Sequence, residues 1–303
     1  MFEILSLKRT EWNIVGRRRI AFVFSAVMVL VGLVAVFQMV IGRAPMGIDF
    51  AGGVAMTVHL EQKTDVDSIR KGLSARGVGD VQIQQAACES GQRLLIKVKE
   101  ASQEQIVRGF LEESAGADKV SYEGIQVVGP AVGKKLRQQA TWAVTWAIIL
   151  ITVYIWIRFE YRFGIAAAIA TAHDVLAVLG IMWLLDKDFT LLTVTALLTI
   201  AGYSLTDTVV VFDRIRENMR LHHRDPLENI VNTSINEVLS RTIVTSMTTM
   251  FPLVAFLIYG SPVTFDFSLA LTMGIIIGTY SSWFIASPII VEWEFRRRKR
   301  GAG

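Results

Sequence analysis

The segment TLLTVTALLTIAGYSLTDTVVVFDRIR, Thr190 to Arg216, decides how the rest of the chain is read. From Thr190 to Thr206 it carries no charge, and Asp207 then follows inside the same apolar run. A membrane-spanning helix needs ~20 predominantly apolar residues, so the segment reads as a span with an acid in it. A charged side chain at the bilayer centre costs at least ~2.5 to 3.5 kcal/mol on insertion scales, which makes a carboxylate there a functional hypothesis by default. The run closes on Asp213-Arg214-Ile215-Arg216, a basic edge of the kind that fixes the side on which a loop stays.

Five further apolar segments flank it: residues 20–41, 142–157, 163–185, 243–259 and 267–291. The composition agrees, since 52% of the 303 residues are hydrophobic and only 19% are charged. Mean hydropathy is +0.45, too apolar for an ordinary soluble domain. The net charge of +4 sits in short clusters beside the apolar runs, where basic residues act as topology signals rather than as a nucleic-acid surface. Cys88 is the only cysteine, so there is no disulfide framework or cysteine metal site, and it reads as a small buried hydrophobe. The first apolar run follows basic residues as a secretory leader would. It is nevertheless of spanning length and enters Arg43-Ala44-Pro45 without a small-residue cleavage site, so it reads as a retained span.

Orientation follows from arginine and lysine. Lys8, Arg9 and Arg17 to Arg19 precede the first span, Arg158 and Arg162 join the second and third, Arg214 to Arg224 join the fourth and fifth, and Arg296 to Arg300 end the chain. All four groups fall on one side of six crossings. The positive-inside rule makes that side cytoplasmic, with both termini on it. The expected division is a cytoplasmic N-terminus (1–19), a first span (20–42), a periplasmic α+β domain (43–137), spans two to six (138–292) and a basic cytoplasmic tail (293–303). That tail reads as a stop-transfer anchor, with anionic lipid or ribosomal RNA as other occupants.

The long insert has its own periodicities. Residues 54–60, 81–85, 93–99 and 125–128 read as strands. Thr64-Asp65 caps a helix to about Ala75, and Ser102 caps another to about Ser114. The order βαββαβ is that of a ferredoxin-like domain, with a generic α+β domain as the alternative. The expected fold is therefore a membrane all-α six-helix bundle carrying one such domain. Gly47-Ile48-Asp49-Phe50-Ala51-Gly52-Gly53 lies between a span and a strand, the wrong context for a nucleotide loop. It reads instead as a turn coupling the first span to the domain.

The ionisable residues in the apolar runs are the candidate site: His173 and Asp174 in the third span, Asp207 in the fourth and Arg241 at the entry to the fifth, with Asp213 at the boundary. Asp207 lies about 9 Å deeper than Asp213 at the helical rise, a depth that the long Arg241 side chain reaches by snorkelling. Such a pair serves either as a proton relay or as a static contact that fixes packing. His173 and Asp174 likewise read as a relay station or as a ring oriented by a hydrogen bond. Tyr203, Ser204, Thr206 and Thr208 lie near Asp207, and Thr245 follows Arg241. Hydroxyls of this kind mark a buried helix interface and, more weakly, a proton path. No phosphate loop, zinc motif or nucleophile elbow is present, and no nucleophile stands at a credible spacing from His173. The chain is expected to be no enzyme and to hold no metal or cofactor.

Several of these stretches together resemble the SecF family of protein-export membrane subunits, in the SecD/SecF group of the resistance-nodulation-division superfamily. They are 47–53, Ala172-His173-Asp174-Val175, residues 201–218, Ser240-Arg241-Thr242 and Thr245-Ser246-Met247-Thr248-Thr249, and the resemblance covers nearly the whole chain. One departure is Thr206, where the family pattern has Asn before the acid. The resemblance implies pairing with SecD in the bacterial inner membrane and work beside the SecYEG channel and SecA, with YajC and YidC as further neighbours. It also implies a proton-motive-force-driven step in preprotein translocation in which Asp207 and Arg241 take part. The rival readings are a proton-coupled small-molecule exporter of the same superfamily and a non-conducting assembly factor of the translocon.

Overall fold

The computed structural model describes residues 12–79, 81–86 and 91–301. Cys88, Lys8 and Arg9 lie outside the described residues. Six helices are long and apolar enough to cross a membrane. In order they are α1 (Arg18–Val40), α5 (Pro130–Arg158), α6 (Tyr161–Leu184), α7 (Leu191–Leu221), α8 (Leu227–Tyr259), and α9 (Pro262–Ser281) continuing into α10 (Ser287–Gly301). A π-helical stretch, Ser282–Ala286, joins the last two. Its register is held where the Ser287 hydroxyl reaches back five residues to the Ser282 carbonyl at 2.8 Å.

The helices cross where side chains are smallest. A Cβ on Gly32 of α1 would stand 2.2 Å from the Leu176 carbonyl oxygen of α6, and one on Gly180 would stand 2.8 Å from the Gly32 nitrogen. Only glycine permits that approach, which is the usual way for membrane helices to gain packing contact when lipid offers no hydrophobic drive. Gly274 and Gly278 of α9 sit likewise against Ile200 and Ser204 of α7. At the arginine-rich end Phe159, Phe163 and Phe212 form an edge-packed aromatic group in one buried cluster. Ala196, Leu197, Ile200, Leu271 and Ile275 belong to a second. α5 and α8 remain mostly uncovered, with large apolar side chains such as Trp142, Trp146, Trp156, Phe251 and Phe256 exposed, as suits lipid or a partner bundle.

The domain outside the spans contains β1 (Gly53–Leu60), α3 (Val66–Ala75), β2 (Gln82–Ala86), β3 (Gln92–Val98), α4 (Glu104–Ala115) and β4 (Val120–Val128). The four strands pair antiparallel in the order β2-β3-β1-β4. One face of the sheet, Val54, Met56, Val58, Leu60, Leu94, Ile96 and Val98, is buried with Ile69 and Leu73 of α3 and Val107 and Leu111 of α4. Alternation along β1 places every second residue on that face. Asp65 caps α3 as the sequence predicts, accepting from the Ser68 amide at 3.1 Å. The Ser68 hydroxyl also donates to Asp65, and these bonds hold its carboxyl below the usual range.

Two local expectations change. Ser102 does not cap α4: it lies inside a 3-10 turn, Ala101–Gln103, and its hydroxyl donates to Glu100 at 3.3 Å. β4 starts five residues earlier than its apolar stretch implies, because Val120 to Gly124 continue the pairing with β1 across a bulge at Thr57/Val58.

Candidate functional site

The glycine-rich stretch is a single helical turn, α2 (Ile48–Ala51), between Gly47 and two residues of positive φ, Gly52 at 82° and Gly53 at 128°. A Cβ on Gly53 would meet the Val98 carbonyl oxygen at 2.3 Å, so the turn lies directly on β3. Asp49 projects from this turn and binds in two directions. Its Oδ2 accepts from the Leu191 amide, the first residue of α7, at 3.0 Å, and its Oδ1 accepts from the Gln126 side chain of β4 at 3.0 Å. A carboxylate on the free amides of a helix N-terminus is a favourable placement. Alongside, the Gly47 amide donates to the Phe189 carbonyl and the Phe189 amide to the Pro45 carbonyl, each at 2.9 Å.

A second joint lies beside the first. Lys97 of β3 reaches Asp188 in the α6–α7 connection, Nζ to Oδ2 at 2.6 Å, with both side chains nearly buried. Sequence reading missed it. Lys97 stands at a polar position of a strand, between buried Ile96 and Val98, and nothing local marks it as a partner for a loop 91 residues away.

In the bundle interior, the candidate residues separate into two groups. Asp174 is fully buried, and its Oδ1 pairs with Nδ1 of His173 at 2.9 Å. Its Oδ2 accepts from the Ser204 hydroxyl of α7 at 2.5 Å and from the Ser281 hydroxyl of α9 at 2.8 Å. One carboxylate thus ties three helices together immediately before the π-helical stretch. Tyr280, next to Ser281, lies 6.4 Å from the His173 ring and donates to the Ala21 carbonyl of α1 at 3.0 Å. His173 Nε2 is buried without a hydrogen-bond partner among the described residues.

Asp207 differs. It is 8% exposed, and its Oδ2 is buried with no hydrogen-bond partner among the described residues. Three of the hydroxyls expected around it are engaged elsewhere. Ser204 serves Asp174, Thr206 donates to the Gly202 carbonyl at 3.0 Å, and Thr208 donates to the Ser204 carbonyl at 3.1 Å. The Tyr203 hydroxyl, buried one turn earlier, has no partner among the described residues. Arg241 acts on Asp207 through its charge, but the two form no hydrogen bond and no ion pair within 4 Å. Arg241 lies on an exposed face of α8, and Thr245 donates back to its carbonyl at 3.0 Å. Asp213 is half-exposed at the arginine-rich end, with Arg158 at 3.9 Å. Among the described residues no group of three or more His, Cys, Asp or Glu side chains is placed to hold a metal ion.

A six-span bundle with buried acids on its third and fourth spans and one small sheet domain between the first and second defines a class of polytopic membrane transport components. Comparison with known proteins gives the family. The profile described as "Protein export membrane protein SecD/SecF, C-terminal" matches residues 110–296. A protein translocase subunit SecF from Thermodesulfovibrio yellowstonii is 43% identical over 295 residues, covering 96% of this chain and 97% of its own. One from Rickettsia conorii is 37% identical over 95% of this chain. A crystal structure of SecDF from Thermus thermophilus, described as a translocon-associated membrane protein, superposes with a TM-score of 0.81 at 36% identity. It covers 94% of this chain, which in turn spans 39% of that longer one. The chain belongs to the SecD/SecF family of protein-export membrane proteins, and its match to the SecF members runs over nearly its full length.

Proposed function

We propose that this chain is the SecF half of a SecD–SecF assembly that uses the proton motive force to complete preprotein translocation beside SecYEG and SecA. On this reading it lies in the bacterial inner membrane. Both termini and the arginine clusters are cytoplasmic, and a periplasmic ferredoxin-like domain occupies residues 43–137. The strand order β2-β3-β1-β4 with two helices on one face supports that domain type. YajC and YidC are further neighbours on the same reading.

The observation that carries the proposal is Asp207, a buried carboxylate with an unpartnered oxygen, on a helix whose N-terminus is bonded to the sheet domain through Asp49. A proton bound or released at Asp207 changes the charge facing Arg241, and any resulting shift of α7 is delivered to β4 through Asp49 and to β3 through Lys97 and Asp188. His173 and Asp174 are the fixed point of this scheme, and Asp213 is the acid through which water on the cytoplasmic side reaches the path.

The face that SecD would cover carries Thr195, Thr199 and Thr206 of α7 with Arg241, Thr245 and Thr248 of α8, all exposed. Each of these threonine hydroxyls bonds a carbonyl one turn back on its own helix, so the stripe meets another helix without stranding a donor.

The test is export of a secreted reporter into inverted vesicles containing the SecD partner, with and without a proton gradient, at equal protein abundance. Asp207→Asn and Arg241→Met are expected to lose the gradient-dependent part and keep the rest. Wild-type behaviour of both would favour a non-conducting assembly factor.

A further inference from the structure

The arginine-rich end of the bundle holds a cluster of arginines, beside Asp213, that neither the interior acids nor the domain joint uses. A cavity of about 340 Å³ opens between the end of α5 and the extension of α7, lined by Arg158, Asp213, Arg216, Glu217, Arg220 and Leu221. Arg216 and Arg220 stand one turn apart on α7, a spacing at which like charges repel. Neither forms an ion pair among the described residues. Glu217 is committed to Arg214 at 2.5 Å, and Arg214 is held in turn by Glu237 at 2.6 Å. Arg158 approaches Asp213 only at 3.9 Å and packs over the Phe159 ring. Three arginines from two helices therefore line one opening, with Asp213 held loosely by Arg158 and Glu217 by Arg214.

The opening lies at the edge of the apolar bundle surface. Trp156 and Ile157, just before Arg158, are 63% and 83% exposed, and Leu221 in the cavity wall is 62% exposed. Cationic forks beside an exposed apolar wall match a molecule with a phosphate at one end and hydrocarbon at the other. A free anion would satisfy the arginines and leave the wall unused. Guanidinium groups suit phosphate because they are planar, permanently charged and bidentate.

We propose that this cavity binds the phosphodiester of an anionic phospholipid, with Arg158, Arg216 and Arg220 around the phosphate and the acyl chains along the exposed end of α5. Basic pockets between membrane helices are a known setting for acidic headgroups. The site lies on α7 itself, so its occupant bears on the helix that carries Asp207 without touching the acids of the interior.

The experiment is native mass spectrometry of the full chain released from nanodiscs of mixed phosphatidylcholine and phosphatidylglycerol. Wild type is expected to retain phosphatidylglycerol selectively. The double variant Arg216→Gln, Arg220→Gln is expected to lose that retention roughly tenfold or more. The pair Arg216→Lys, Arg220→Lys, which keeps the charge, is expected to retain an intermediate share and so reports that the fold is intact. Arg296→Gln with Arg297→Gln removes equal charge from the basic tail and is expected to change little. Equal loss in that control would reduce the effect to general surface charge and overturn the site, as would unchanged retention in the first pair. Displacement by soluble glycerol phosphate as effective as by the lipid would overturn the lipid assignment.

Discussion

Asp174 and Asp207 are both buried acids on neighbouring spans, and they are treated in opposite ways. Asp174 receives two serine hydroxyls and an imidazole from three helices, while Asp207 has one oxygen with no partner among the described residues and a cation that acts on it without touching it. A buried polar group with every site filled rigidifies its surroundings, whereas one left partly open gives up stability that a second state can recover. On the function proposed above, Asp174 then serves the architecture and Asp207 is the group that changes state.

The comparison breaks most visibly if Asp174 can be removed cheaply. Interhelical hydrogen bonds in membranes contribute roughly 0.6 to 1.7 kcal/mol each, so the loss of three contacts in Asp174→Ala is expected to lower stability by roughly 2 to 5 kcal/mol. Reversible unfolding in mixed micelles measures this. A loss below that of one hydrogen bond would mean that Ser204 and Ser281 are satisfied by their own helices and that Asp174 is not the tie between them.

A smaller effect is expected at Gly278. A Cβ there would lie 2.9 Å from Cβ and 3.1 Å from Oγ of Ser204, so Gly278→Ala pushes the hydroxyl that serves Asp174 without altering either partner. Overpacking of this kind costs roughly 1 to 3 kcal/mol. In the Asp174→Ala background the same substitution should cost measurably less, because the bond it disturbs is already gone, and strict additivity would show the two sites to be independent.

Much of this arrangement was legible in the sequence, and what was missed has a physical pattern. The six spans follow from apolar length, and the strands of the sheet domain follow from alternation with Asp65 marking the start of α3. The identity of the interior acids was equally plain, since few charges occur in the apolar runs. Their partners were not. Ser204 precedes Asp207 by three residues and reads as part of its surroundings, but a helix turns the two positions about 60° apart, enough for Ser204 to face Asp174 instead. Ser281 is one serine among Ser281, Ser282 and Ser287, and only the crossing of α9 on α6 selects it. The Lys97–Asp188 joint was invisible for a related reason: it is a long-range contact between a strand and a loop, and periodicity reports faces rather than partners.

The smallest expected change in stability is the one that sharpens the comparison furthest. Asp207→Asn preserves the side-chain volume, removes one negative charge from the interior and disturbs no hydrogen bond formed by Oδ2. The change in unfolding free energy is therefore expected to stay below about 1 kcal/mol, less than the penalty for a buried group that loses a hydrogen-bond partner. The matched variant Asp174→Asn turns an amide NH₂ toward at least one donor that the carboxylate accepted. Unless the His173 ring changes tautomer to accept from it, that substitution is expected to cost about 1 to 3 kcal/mol, the penalty for a buried polar group left without its partner. Measured side by side, the two isosteric changes compare an acid whose oxygens are filled with one that keeps an open oxygen. Equal losses would mean that Asp207 is held in place as firmly as Asp174. Its orphaned oxygen would then be a feature of packing and not the mark of a group that alternates between states.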